Sequence, residues 1–245
     1  MAWRETSSYV GGLFVMAIAL VVVGEAADNN KVYRPCLDTT VQRNDGFTFA
    51  MAFAPNSSFY NKNVQLSPCD KQLTGLQGGQ VAVFRPKVDE ISLLVINITN
   101  FNPEFYGGYG VVYAGRQYAA VSKPVFLANG SYHVTSLSVV MNFDKGRLVN
   151  VLWKNDNCAS CQGKNTTFVC LNGEQCAVKS SLCNTGDPKT KVDCSLTIQL
   201  TFSGTDKYQD PLNSWYQLQS MQQYSLLALY GNLKKQLQNQ FHLYF

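Results

Sequence analysis

Histidine is almost missing from this chain: two in 245 residues, His133 and His242. Histidine supplies most general bases and many metal ligands, so a Ser-His-Asp triad or a histidine-held metal is not expected. Charge is sparse as well, at 15% of residues, with a formal balance of +4 and the basic side chains scattered singly. Without a basic stripe or cluster, nucleic acid is excluded as a partner. No internal repeat is present, and after Val10 to Val23 no apolar run is long enough to cross a bilayer. What the chain does have, 46% hydrophobic and 12% aromatic residues, suffices for a real core and excludes wholesale disorder.

The N-terminus reads as an address. Met1 to Ser8 is polar with one basic residue, Arg4; Val10 to Val23 forms an apolar run of fourteen, and Gly24-Glu25-Ala26 offers a small-residue cleavage signature. A signal peptide over 1–26, removed before Ala27, is expected, and the run is shorter than the roughly 18 to 20 residues a span needs. Loss of Arg4, Glu5 and Glu25 leaves a formal +5. Leu233 to Phe245 has neither the apolar tail of a lipid-anchor signal nor a retrieval tetrapeptide. Extracellular localisation, with no stable membrane span after cleavage, follows as an expectation. Four N-x-S/T tripeptides, at Asn56, Asn97, Asn129 and Asn165, make a glycoprotein of it. Asn97 qualifies only if it points outward from its apolar run.

From Phe47 the pattern is period-two: Phe47, Phe49, Met51 and Phe53 on one side, Thr48 and three alanines on the other. Further β-rich runs cover Gln80 to Phe84, Glu90 to Ile98, Gly110 to Ala114, Tyr132 to Phe143, Leu148 to Lys154 and Ser195 to Ser203, separated by turn clusters. Asp144-Lys145-Gly146 is a hairpin signal. Strands at this spacing, without helical periods between them, predict an antiparallel β-sandwich or jelly-roll-like core in a single domain over 27–245. The stretch 155–194 differs, with six of the eight cysteines and polar filler, and reads as a disulfide-stapled excursion. Leu226, Leu229, Leu233, Leu237, Phe241 and Tyr244 then recur at three and four, predicting an amphipathic helix over about 213–243 that starts near Asn213-Ser214 and packs on the sheet.

Chemistry is hard to place. Cys158-Ala159-Ser160-Cys161 is a C-x-x-C, but it lacks the strand-to-helix context of a thioredoxin-like dithiol. Zinc is a forced alternative, and in an oxidising compartment an even count predicts that Cys36, Cys69, Cys158, Cys161, Cys170, Cys176, Cys183 and Cys194 all form disulfides, Cys36 and Cys69 being candidates to pair with each other. No metal or other cofactor is implied. Glycoside hydrolysis needs two carboxylates, yet no motif singles out a pair among Asp89, Glu90, Glu104, Asp144 and Asp206, which read as solvated surface. The richest candidate is aromatic. Phe101 to Tyr118 holds six aromatics among glycines, and exposed rings can stack on sugars, so Tyr106, Tyr109, Tyr113 and, further on, Trp153 are candidate glycan contacts, against the plainer reading of core and cross-strand packing.

Four strings, V-F-R-P-K-V-D-E-I-S-L-L-V-I-N (83–97), G-Y-G-V-V-Y-A-G-R-Q-Y-A-A (108–120), G-R-L-V-N-V-L-W-K-N-D-N-C-A-S-C (146–161) and C-S-L-T-I-Q-L-T-F-S-G-T-D-K (194–207), resemble a plant family of secreted cysteine-rich proteins of the expp type. The resemblance implies a plant source and an apoplastic or cell-wall setting, and brings no functional residues with it. The expectation is a non-enzymatic extracellular protein that binds a cell-wall carbohydrate or another extracellular protein. A glycan-active enzyme and a structural or receptor-associated protein are the alternatives.

Overall fold

A computed structural model describes residues 28–73, 76, 79–97, 101–155, 158, 161, 167–183 and 192–223. The expected leader, the sequon at Asn165 and the helical pattern beyond Gln223 lie outside these residues.

The fold is mainly β. One sheet is built on β1 (Phe49–Ala54), flanked by the edge strand β4 (Gln80–Phe84) and by β6 (Tyr109–Ala114), which also pairs with β7 (Ala120–Val121) and β8 (Val125–Phe126). A second sheet runs β11 (Arg147–Lys154), β10 (Ser136–Asp144), β14 (Leu196–Thr205) and β15 (Pro211–Leu212), with β5 (Ser92–Ile96) also on β14. The alternation read at β1 decides how the sheets meet. Phe49, Met51 and Phe53 point into the main core with Val112 of β6, facing Leu137, Val139, Met141 and Phe143 of β10 and Leu196, Ile198, Leu200 and Phe202 of β14. Face-to-face packing of two alternating surfaces is the sandwich expected from the sequence.

The alanines of β1 serve a different purpose. Ala50, Ala52 and Ala54, with Val111 and Tyr113, form the outer face of the first sheet, and small side chains let a second, smaller core close over them through Phe59, Cys36, Cys69 and Leu76. The hairpin of β2 (Tyr60–Asn61) and β3 (Val64–Gln65) lies in the same stretch of chain. Arg85 at the end of β4 holds the N-terminal segment in place: its guanidinium donates to Asp28 Oδ2, to the carbonyls of Asn30 and Val32 and to Thr48 Oγ1. Burial works to raise the Asp28 carboxyl, but Arg85 and the N–H donors of Gly46 and Asn30 outweigh it and hold the group below its ordinary value.

Most strand pairs are antiparallel, and Lys145-Gly146 closes the β10–β11 hairpin with both residues at positive φ, as a two-residue turn requires. The long pair β10–β14 is parallel. Its crossover runs through β11 and the cysteine-rich excursion, whose strands β12 (Phe168–Leu171) and β13 (Gln175–Lys179) build a small sheet on β9 (Tyr132–Val134), the strand just before β10, and lead into the one-turn helix α1 (Ser180–Cys183). All eight cysteines are bonded, as 36–69, 158–170, 161–176 and 183–194. Cys170 and Cys176 sit opposite each other across β12 and β13, and each bonds one cysteine of the C-x-x-C instead of its neighbour. The close approach of Cys158, Cys161 and Cys176 sulfurs is therefore that of two adjacent disulfides, with no thiolate left to ligate zinc.

Helix α2 (Ser214–Gln223) begins where the sequence placed it and packs on β14. Its N-terminal cap departs from expectation. Asp89 Oδ1 accepts from the N–H groups of Asn213 and Ser214 at 2.6 and 2.7 Å, while the Ser214 hydroxyl accepts from the Phe202 N–H. Asp89, read as solvated surface, has a side chain 1% exposed and also takes the Arg43 guanidinium. Asp206 is likewise buried, accepting from the N–H groups of Arg43, Tyr208 and Asp210. Both corrections have one cause: several otherwise orphan N–H donors satisfy the carboxylate and offset the cost of taking it out of water. No helix among the described residues is long and apolar enough to cross a membrane.

Candidate functional site

The aromatic residues picked out from sequence do not converge. Tyr113 is 4% exposed within the second core, where burial pushes its phenol above the ordinary value. Tyr109 shares that face and meets Phe126 edge-on at 5.8 Å. Tyr106 belongs to the main core instead, stacked on Phe101 at 5.0 Å after a turn capped by Asn102. Trp153 is half-buried, and its indole N–H points to Ser122 Oγ and the Lys123 carbonyl oxygen. Packing and anchoring account for all four.

A concave site does exist, at the end of the sandwich where β6 stops and β11 starts. Leu37, Asp38, Thr39 and Thr40 form one wall; Ala114, Gly115 and Tyr118 form another; Phe47, Arg147 and Leu148 complete a cleft of about 220 Å³. Such a volume is smaller than that of small-ligand pockets, which start at about 300 Å³, and suits part of a ligand such as a single ring. Asp38 organises it. The N–H groups of Arg116, Gln117 and Tyr118 donate to its carboxylate at 2.7, 2.9 and 3.3 Å, which fixes the loop carrying Tyr118. Burial tends to raise this carboxyl, yet those three donors and the charge of Arg147 overcome it and hold Asp38 below its ordinary value, ionised at neutral pH. The Arg147 guanidinium lies 4.6 Å from the centroid of the Tyr118 ring, a cation–π contact that orients both. Tyr118 remains 52% exposed.

The chemistry on offer is recognition. An aromatic ring, a guanidinium and the hydroxyl-bearing Thr39 and Thr40 present one apolar face and several hydrogen-bonding groups. Asp38 is the one carboxylate lining the cleft, and three of its lone pairs are already engaged, so the two-carboxylate arrangement of a glycosidase is not met there. None of Asp38, Tyr118 and Arg147 was singled out from sequence, although Tyr118 closes the aromatic stretch 101–118.

A second constellation surrounds His133. Its Nδ1 lies 2.9 Å from Ser180 Oγ, its Nε2 3.1 Å from Asn102 Oδ1 and 3.9 Å from Glu104 Oε2. The residue types are those of a hydrolytic triad, but His133 is 2% and Ser180 9% exposed, so no substrate reaches the hydroxyl. Burial lowers the His133 pKa more than Glu104 raises it, which keeps the ring neutral near pH 7. Asn102 Oδ1 already accepts from the Glu104 N–H, so Nε2 is the protonated nitrogen that donates to it. Ser180 Oγ lies 2.9 Å from both Nδ1 and the Asn129 carbonyl oxygen. The group is a brace that ties the 102–106 turn, β9 and the cysteine-rich excursion together.

Residues 11–130 and 117–242 both match the model of a protein family described as Uncharacterised protein DDB_G0273449. The chain belongs to this family. No curated protein and no solved structure matches it. Family membership therefore brings no site residues, and the cleft stands on its own geometry.

Proposed function

We propose that this chain is a secreted, N-glycosylated plant protein of the cell wall or apoplast that binds glycan without cleaving it. The cleft carries the reading: a half-exposed tyrosine held by an arginine, hydroxyls beside it, and a lone carboxylate used to position backbone. The compartment has separate support. Four disulfides suit an oxidising environment, and Asn56, Asn97 and Asn129 are all exposed, including the one sequon that had to point outward from an apolar run. The plant setting rests on the resemblance of the four strings quoted above. The contact set moves from Tyr106, Tyr109, Tyr113 and Trp153 to Tyr118, Arg147, Asp38, Thr39 and Thr40.

A wall-polymer and glycan array probed with the secreted, oxidised protein tests this. Saturable binding to one polymer class, lost in Tyr118→Ala, is the expected result. Silence across the array sinks the reading and transfers the search to an extracellular protein partner.

A further inference from the structure

Beside the cleft lies an open groove of about 460 Å³, lined by Arg34, Pro35, Cys36, Leu37, Cys69, Lys71 and Arg116. The two depressions adjoin: Leu37 lines both, and Arg116 follows directly on Gly115 of the cleft. Arg34, Lys71 and Arg116 are exposed, and no carboxylate lines the groove. Among the described residues no ion pair engages them, whereas Arg43, Arg85 and Lys87 are each paired with an acid. The groove is also built, since the Cys36–Cys69 disulfide ties the 34–37 wall to the 69–71 wall, and the Gly115 N–H donates to the Pro35 carbonyl at 2.8 Å. Three like charges gathered in a concavity repel one another, and the arrangement gains energy only when an anion enters.

Resting on the glycan-binding reading, we infer that the ligand is an anionic glycan, a polymer of uronic acids, with one sugar in the Tyr118 cleft and the next carboxylates along the groove. Cleft and groove together present four cations, Arg34, Lys71, Arg116 and Arg147, to one carboxylate, Asp38. Asp38 is no obstacle, because three N–H donors and Arg147 already offset its charge. Arginine forks match carboxylates in a bidentate way, which suits a chain that repeats one carboxylate per sugar.

The test uses the secreted, glycosylated, oxidised protein and two probes with the same backbone: oligogalacturonate and its methyl ester, which lacks the charge. Expected is a preference of about tenfold or more for the free acid, shrinking as salt is raised. Arg34→Gln/Lys71→Gln/Arg116→Gln should abolish that preference at an unchanged melting temperature. Lys62→Gln/Lys123→Gln/Lys179→Gln, which removes the same charge elsewhere, should keep it. Tyr118→Ala should weaken both probes. Equal affinity for acid and ester, or a preference that survives the groove variant, overturns the anionic assignment while the glycan reading stands. If neither these probes nor any neutral wall glycan binds, the glycan reading itself fails and takes the assignment with it.

Discussion

Replacing His133 by alanine tests the buried brace quantitatively. The ring is 2% exposed and makes two side-chain hydrogen bonds, to Ser180 and Asn102. Once the ring is gone, the single Ser180 hydroxyl proton turns to the Asn129 carbonyl and Asn102 Oδ1 keeps the Glu104 N–H, so neither is orphaned by the change. The loss is then about 1 kcal/mol for each hydrogen bond and about 1 to 2 kcal/mol for the cavity, roughly 3 to 4 kcal/mol in all at pH 7.5. The pH dependence carries a sign. Burial first, opposed by Glu104, sets the folded pKa below the ordinary histidine value, so the unfolded chain binds more protons in between. Stability from this site is complete above about pH 6.5 and falls as the pH drops toward the folded value, by at most about 1.4 kcal/mol per unit. Urea unfolding of wild type and His133→Ala from pH 7.5 to 5.5 reads both numbers. The gap between the two proteins should narrow on acidification. A gap that stays constant, or widens, would refute the neutral buried ring.

Three further outcomes follow from the fold. Cys36→Ser/Cys69→Ser opens a loop of sequence separation 33 and should cost about 3.7 kcal/mol by chain entropy, read as a lower urea midpoint, and the same variant should lose acid preference because the groove walls part. Asp89→Ala removes the buried acceptor for two N–H groups at the start of α2 and releases the half-exposed Arg43 to solvent, so a loss of about 2 kcal/mol is expected in thermal unfolding. Gly204→Ala places a methyl 1.9 Å from the Phe143 carbonyl oxygen at φ +92, and should cost more than about 4 kcal/mol or abolish folding, as measured by the yield of folded protein.

Local pattern carried much of the architecture. The alternation at Phe49, Met51 and Phe53 and again at Leu196, Ile198, Leu200 and Phe202 is set by burial on one face, and it is visible without a structure. Lys145-Gly146 announced its hairpin, and the even cysteine count its disulfides, including the 36–69 pair. The parallel β10–β14 pair was not readable, because direction is fixed by how the excursion crosses over and leaves no mark in either strand. Asp89 and Asp206 misled for a related reason: their partners lie up to 125 and 163 residues away, and a carboxylate with distant N–H donors looks like any surface acid in a string. Alternation alone could not place Tyr113 either, since the first sheet is covered on both faces. The cleft was hidden most completely, with Asp38 meeting its donors across 78 to 80 residues and Arg147 arriving from another sheet.

The central claim is that the Tyr118–Arg147 cleft binds glycan, and an isothermal titration comparing wild type, Tyr118→Ala and Tyr113→Phe on the best array ligand tests it most directly. The account predicts saturable heat for wild type, no detectable binding for Tyr118→Ala in a folded protein, and wild-type affinity for Tyr113→Phe, whose ring stays in the core. Full affinity in Tyr118→Ala would contradict it.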